Sequence, residues 1–348
     1  MFPYWLLFLV FAAAAFVGRH SVVKKGDSRA PLFAAGLLIS LMIGLRFEVG
    51  GDWFAYIKMF ARLEHVSWAK AISISDPGYV ALNWIVKKLG FQIWLVNLIC
   101  GSIFTWGLIR FASRQPNPWL AIAVAVPYLI IVVAMGYTRQ AVALGFIMAG
   151  LGAQRDTSLL RYSALILLAA TFHKTAVIIL PLVALSQTSN KVMKGSLLAI
   201  VSIIFVWLFL SSDVDRLLKN YVEAKYSSQG AAIRVSMNII PAMFFMKYWR
   251  RFNLVDEDSK FWLNFSYVAI LILVIFFLSP SSTVVDRLAL YAIPLQLFVF
   301  SRLPLVFQER GRAIASFVIL AYSALVLFVW LNYAANAETW IPYQIYPL

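Results

Sequence analysis

Arg46, Glu48, Asp52, Arg139, His173, Arg234, Asp286 and Arg287 are the residues of this 348-residue chain whose types and placing could do chemistry. Each ends or interrupts an apolar run, except Glu48 and Asp52, which follow Arg46 in the polar segment after the second run. A guanidinium offers a planar fork of N–H donors that suits phosphate oxygens. A carboxylate or an imidazole can take the proton from a reacting hydroxyl. Several arginines with one or two carboxylates and a histidine at one depth suit an anion with several negative oxygens, such as a lipid diphosphate. Plainer readings exist for each residue alone. An arginine at a helix end snorkels to headgroups, Asp286 and Arg287 form a local salt bridge, and His173 is a hydrogen-bonded packing residue. Arg139 resists the plain reading, because apolar runs flank it on both sides and charge inside a membrane is costly.

The elements that position these residues are membrane helices. The chain is 62% hydrophobic and 13% charged, with a mean hydropathy of +0.82. A soluble domain carries about 25% charged residues, so a water-soluble globule is excluded. Continuous apolar runs exclude a transmembrane β-barrel, whose strands alternate. A single cysteine, Cys100, excludes a disulfide framework, and the scattered His20, His65 and His173 give no metal centre. No metal or other cofactor is expected. The net charge of +15 is what cytoplasmic loops and anionic headgroups collect, not a sign of nucleic acid.

The apolar runs are 2–17, 31–45, 91–109, 118–137, 140–153, 162–186, 195–211, 233–249, 261–279, 288–301 and 313–333. They predict an all-α polytopic membrane protein, a single integral domain over 1–348. About ten runs are full spans, and 162–186 is a re-entrant helical hairpin with His173-Lys174 at its tip. From Arg161 to His173 is 12 residues, or ~18 Å of helix, against a hydrocarbon core of ~30 Å. The competing reading is one tilted span, which would invert everything after it. The short segments 18–30, 110–117, 154–161, 187–194, 247–260 and 302–312 hold 17 of the 30 Lys and Arg, so that side is cytoplasmic. Both termini, the long segment 46–90 with an amphipathic helix at 79–89, and the tail 332–348 then face outward. The first run lacks the basic start of a cleavable signal.

With this topology the chemistry-bearing residues share the outer side. Arg29 to Arg46, Arg155 to Arg139 and Arg302 to Arg287 are 17, 16 and 15 residues apart, or ~26, ~24 and ~22 Å of helix. All are shorter than the core, which predicts a sunken, outward-facing polar cavity.

The stretch Arg46-Phe-Glu-Val-Gly-Gly-Asp-Trp-Phe-Ala-Tyr56 resembles the R-x-x-x-G-x-D-x-x-x-Y signature of the EpsG family of bacterial polysaccharide polymerases, relatives of the Wzy O-antigen polymerases. Asp76-Pro-Gly-Tyr79 resembles the family's acidic-Pro-Gly-aromatic turn. Arg139-Gln140, Phe172-His173, the Ala-Ala-Ile-Arg ending at Arg234, Asp286-Arg287 with Tyr291, and Trp340-Ile-Pro-Tyr343 resemble its later blocks, in order. Gly51 departs from the pattern, where threonine is commoner.

The resemblance implies a GT-C-like membrane glycosyltransferase in the bacterial inner membrane, with its active site facing the periplasm. Undecaprenyl-diphosphate-linked oligosaccharide repeat units would be its substrates, membrane lipids its surroundings, and a chain-length regulator a partner. Arg46, Arg139, Gln140, Arg234, Arg287 and Tyr291 become the substrate-binding set, and Trp53 and Tyr56 can stack on sugar rings. Asp52 is the first candidate base because it lies in the densest motif. Glu48 and His173 remain alternatives. Direct displacement would invert the anomeric carbon. Two rivals are a flippase of lipid-linked oligosaccharide, which usually shows repeat symmetry, and a polysaccharide acyltransferase that uses the histidine.

Overall fold

A computed structural model describes residues 1–18, 29–72, 74–152, 159–180, 230–279 and 282–346, with Leu182 and Ser196. It resolves into two compact units. One comprises Met1–Ala176 and Ala313–Leu348, the other Val177–Arg312.

The first unit begins with α1 (Phe2–Val17) and α2 (Arg29–Gly44). A two-residue strand β1 (Arg46–Phe47) follows, then α3 (Trp53–Arg62), the short α4 (Trp68–Ala71) and α5 (Pro77–Lys88). Pro77 sits in the first turn of α5, where its missing N–H costs nothing. Gly90, with φ +80°, ends that helix in the left-handed conformation that glycine adopts without strain. Leu63, Ala71 and Val80 form a small apolar core beneath this segment, with Val66 and Trp84 against it.

Next come α6 (Ile93–Ala112), α7 (Pro118–Ala125), α8 (Thr138–Gly152) and α9 (Leu159–Phe172). Asn117 caps α7 through the Leu120 N–H and donates to the Ala15 carbonyl of α1. A wider π-helical stretch, Val126–Ala134, continues α7. Pro127 falls at its start, where a proline cannot supply the regular helical bond. Helices α6 and α8 pack closely because both are notched: a Cβ on Gly107 would lie 1.8 Å from the Gly145 carbonyl oxygen. Gly44 lets α2 approach α6 in the same way, with Leu98 Cα 2.5 Å from where its Cβ would be.

The second unit contains α10 (Ala231–Tyr248), α11 (Asp256–Leu278), α12 (Ser282–Ala289) and α13 (Ile293–Arg302). Asp256, Glu257 and Asp258 open α11, where negative charge suits the helix dipole. Trp262 stacks on Phe298 with ring centroids 3.8 Å apart, and Phe245 meets Phe298 edge-on. Helix α14 (Glu309–Tyr333) returns the chain to the first unit, where Trp330 meets Trp340 and Tyr128 edge-on.

Among the described residues four helical stretches are long and apolar enough to cross a membrane: Ile93–Ala112, Asp256–Leu278, Ser282–Val306 and Glu309–Tyr333. Shorter apolar helices include Phe2–Val17, Ala30–Gly44 and Pro118–Ala134. Large apolar side chains stand exposed along them, among them Phe2, Leu9, Phe33, Leu271, Phe277 and Phe317. A water-soluble surface does not carry such faces, and the chain is an all-α membrane protein. Helix α9 stops at Phe172, and a tight 3-10 stretch, Lys174–Ile179, follows. The interruption falls at His173, where the hairpin was expected to turn. The end of the expected return arm, Pro181 and 183–186, and the expected span 195–211 apart from Ser196, lie outside the described residues. The expected span at 288–301 begins earlier, with α12 at Ser282.

Candidate active site

The end of α2 is closed by Arg46. Its side chain is 1% exposed. The guanidinium donates to the Ile43 and Val49 carbonyls, to Asn97 Oδ1 at 3.3 Å and to Thr138 Oγ1 at 2.9 Å. Asn97 lies near the start of α6 and Thr138 opens α8, so one arginine ties three helix ends and its own loop together. All four acceptors are neutral oxygens. Burial therefore lowers the Arg46 pKa from its ordinary value. The Trp53 ring faces the guanidinium at 5.9 Å.

The tail locks the same loop from its other side. Strand β2 (Gln344–Ile345) pairs antiparallel with β1, with Arg46 opposite Ile345 and Phe47 opposite Gln344. The Gly50 N–H donates to the Thr339 carbonyl at 2.9 Å. Gly50 has φ +109°, and a Cβ there would lie 2.5 Å from the Met135 carbonyl oxygen, so only glycine fits. Trp340, 2% exposed, donates to the Ile131 carbonyl of the π-helical stretch and lies against Gly136. The Tyr4 hydroxyl donates to the Trp340 carbonyl.

Beyond this lock the loop presents Glu48, exposed and left-handed at φ +54°, and the half-buried Asp52. Asp52 stands at the N-cap of α3, yet its carboxylate makes no capping bond there. Trp53 and Tyr56, on the next turn, are buried edge-on against Phe47 and Tyr79. Burial raises the Tyr56 hydroxyl above its ordinary value, and the nearby Asp52 charge adds to that. The Arg139 guanidinium, hydrogen-bonded to Tyr56, opposes it.

Arg139 is the point where these parts meet. Its Nη1 donates to Asp76 Oδ2 at 2.7 Å and to Ser75 Oγ at 2.8 Å. The Arg139 side chain is 31% exposed and that of Asp76 8%. Asp76 occupies the N-cap of α5 but forms no capping bond. Its other oxygen accepts the Lys174 backbone N–H at 3.3 Å, one residue past His173. His173 Nδ1 in turn shares a hydrogen bond with Thr175 Oγ1 at 2.7 Å. The structure thus brings Arg139 and the His173 turn onto Asp76, with Tyr56 bonded to Arg139 and the Asp52 charge near Tyr56. Asp76 and Ser75 are absent from the sequence-based site set, although the Asp-Pro-Gly turn that holds Asp76 is visible in the sequence. Gln140, next to Arg139, is buried.

Residues 29–345 match the profile of the EpsG family. The chain belongs to that family. EpsG proteins are associated with polysaccharide polymerisation, so this EpsG chain takes part in polysaccharide biosynthesis at a membrane. No curated protein and no solved structure matches it.

The remaining predicted residues of this EpsG protein lie in the second unit. Arg234 grips Asp286 with two parallel bonds, Nε to Oδ1 at 2.7 Å and Nη2 to Oδ2 at 2.6 Å. Arg287, the next residue, is exposed, and Tyr291 is buried. Asn238, one turn beyond Arg234, donates to the Ala289 carbonyl and accepts from Gln296. Among the described residues no three His, Cys, Asp or Glu side chains gather as a metal would require.

Proposed function

We propose that this protein is a Wzy-type glycosyltransferase that polymerises undecaprenyl-diphosphate-linked oligosaccharide units on the periplasmic face of the bacterial inner membrane. In this reading it has about ten spans of GT-C-like arrangement, both termini outward, and a polar cavity open to the periplasm. The observation that carries it is the cluster around Asp76: an arginine and a histidine turn held on one carboxylate, with the Asp52 charge near the Tyr56 that bonds the same arginine, in an EpsG chain.

The acceptor sugar hydroxyl attacks the anomeric carbon of the growing chain. The bond from that carbon to the lipid diphosphate breaks, and a new glycosidic bond forms with inversion. Asp52 takes the hydroxyl proton. Its carboxylate makes no cap to α3, and the exposed Gly51 leaves the backbone beside it without a side chain. Arg139 stabilises the charge gathering on the departing diphosphate, with Arg287 as a second cation, while Arg234, closed on Asp286, braces its own helix. Arg46 holds the loop, and Trp53 and Tyr56 form its wall. A chain-length regulator is the expected partner.

The test is reconstitution. Purified protein in lipid nanodiscs, given lipid-linked repeat units, should yield a ladder of longer lipid-linked products. Asp52→Asn should cut turnover at saturating substrate by about 10²–10⁴-fold, the usual worth of a general base. Full turnover in Asp52→Asn, with none in His173→Ala, would assign the base to His173. Movement of intact units across the bilayer without any ladder would sink the polymerase reading in favour of a flippase.

A further inference from the structure

We infer that Asp76 is a positioning residue: its carboxylate aims Arg139 and fixes the His173 turn beside it, so that both face one substrate. The inference rests on the polymerase reading for its kinetic arm only.

Three observations carry it. First, Asp76 stands where an aspartate normally caps its own helix, and it makes no such bond. The carboxylate is spent elsewhere, at the expense of local helix stability. Second, its two oxygens serve two different elements. Oδ2 takes the Arg139 Nη1 at the start of α8, and Oδ1 takes the Lys174 N–H just past the end of α9. Those contacts are 63 and 98 residues away in the chain. Third, the pair is lopsided in burial. Asp76 is almost wholly enclosed, while nearly a third of the Arg139 side chain is open. Asp76 is therefore a fixed anchor from which a partly exposed cation projects.

Neighbouring residues reinforce the anchor. Ser75 accepts from the same Arg139 nitrogen. The α5 turn is fitted tightly to α9: a Cβ on Gly78 would lie 2.5 Å from Thr171 Oγ1 and 3.1 Å from the Phe172 ring. The Asp-Pro-Gly turn thus presents a carboxylate to the Lys174 N–H and a bare backbone to the last turn of α9.

A purely structural carboxylate and a positioning one differ in what their loss changes. Asp76→Asn keeps size and one acceptor but loses the charge that holds Arg139. It should lower turnover at saturating lipid-linked units about tenfold or more, because a misaimed Arg139 stabilises the departing diphosphate less, and leave thermal unfolding in detergent nearly unchanged. Asp76→Glu should recover part of the loss. Because Asp76 acts largely through Arg139, adding Asp76→Asn to Arg139→Ala should cost little more than Arg139→Ala alone.

A second measurement needs no activity. An arginine-specific dicarbonyl reagent, with sites read by mass spectrometry, should modify Arg139 faster in Asp76→Asn than in wild type, with Arg46 protected in both. An unchanged Arg139 rate in a folded Asp76→Asn protein overturns the inference, as does a full additional loss in the Arg139→Ala background. If wild type makes no polymer but Arg139 labelling responds, the polymerase reading has failed and the positioning role stands.

Discussion

Two arginine–carboxylate pairs, one in each unit, use the same chemistry for different ends. In the second unit Arg234 and Asp286 close on each other. Both oxygens meet a guanidinium nitrogen, and the side chains are 13% and 11% exposed. In the first unit Asp76 divides itself between Arg139 and the Lys174 amide, and Arg139 meets it through Nη1 alone. A closed fork has spent its geometry on its partner. An open one still has planar donors for a phosphate oxygen. The same two residue types therefore give a clamp within the protein in one place and an aimed cation in the other.

Removing each arginine should separate the two. Arg139→Ala should fold and insert, yet lose polymer formation by about 10²–10³-fold, as a lost charge-stabilising donor does. Arg234→Ala leaves Asp286 buried without its fork. Breaking a buried pair from one side costs about 3–5 kcal/mol, so this variant should show its loss in thermal unfolding and yield. Activity lost at full stability in Arg234→Ala, or a larger stability loss in Arg139→Ala than in Arg234→Ala, would reverse the comparison.

The Arg46 loop shows a third way to hold a guanidinium, on neutral oxygens, and it depends on the tail. Trp340 fills the space that Gly136 leaves, and its indole N–H and backbone carbonyl are both engaged. Trp340→Ala should cost about 3–5 kcal/mol, the range for truncating a buried aromatic ring. It should also release Arg46 to the dicarbonyl reagent. Protection of Arg46 in a folded Trp340→Ala protein would show that the tail does not hold the loop.

What the sequence reveals and what it hides follow from range. The polar residues that stop apolar runs are legible, because burying charge in lipid is costly and few such residues exist. Hence α1 matches 2–17, α5 overlaps the expected amphipathic helix 79–89, and α9 breaks at His173. The run 118–137 reads as one span and conceals the wide turn at Val126–Ala134, since hydropathy has no period that tells a π turn from an α turn. Strands β1 and β2, two residues each, carry no alternation at all. The Trp340–Ile131 bond joins residues 209 apart. The role of Asp76 is hidden for the same reason: the residues that use it lie in other helices.

Small-residue packing is likewise invisible until helices are placed. Gly107 sits in α6 as one apolar-run glycine among several, but its missing Cβ is what admits Gly145 of α8. Gly107→Ala should push α8 outward and lower stability by about 1–3 kcal/mol, the usual cost of overpacking. It should act on Arg139 only through that displacement, lowering turnover less than Asp76→Asn does. A Gly107→Ala protein as stable as wild type would show that α6 and α8 are not in direct backbone contact.

The exposed end of the comparison is the Lys87–Glu64 pair, at 3.2 Å with side chains 26% and 54% exposed. The Lys87 ammonium also sits 5.1 Å from the Phe60 ring centre. Water and salt screen such a pair, and two long side chains must be ordered to make it, so its coupling should be about 0–1 kcal/mol. Glu64→Gln removes the charge while keeping the shape. Lys87→Met keeps the apolar stem over Phe60. The double-mutant cycle then isolates the ion pair from the ring contact. It should give less than about 1 kcal/mol and shrink further as salt rises. Coupling above about 2 kcal/mol, insensitive to salt, would place this pair beside Arg234–Asp286, and exposure would no longer separate pairs that fasten the fold from those that leave a charge available.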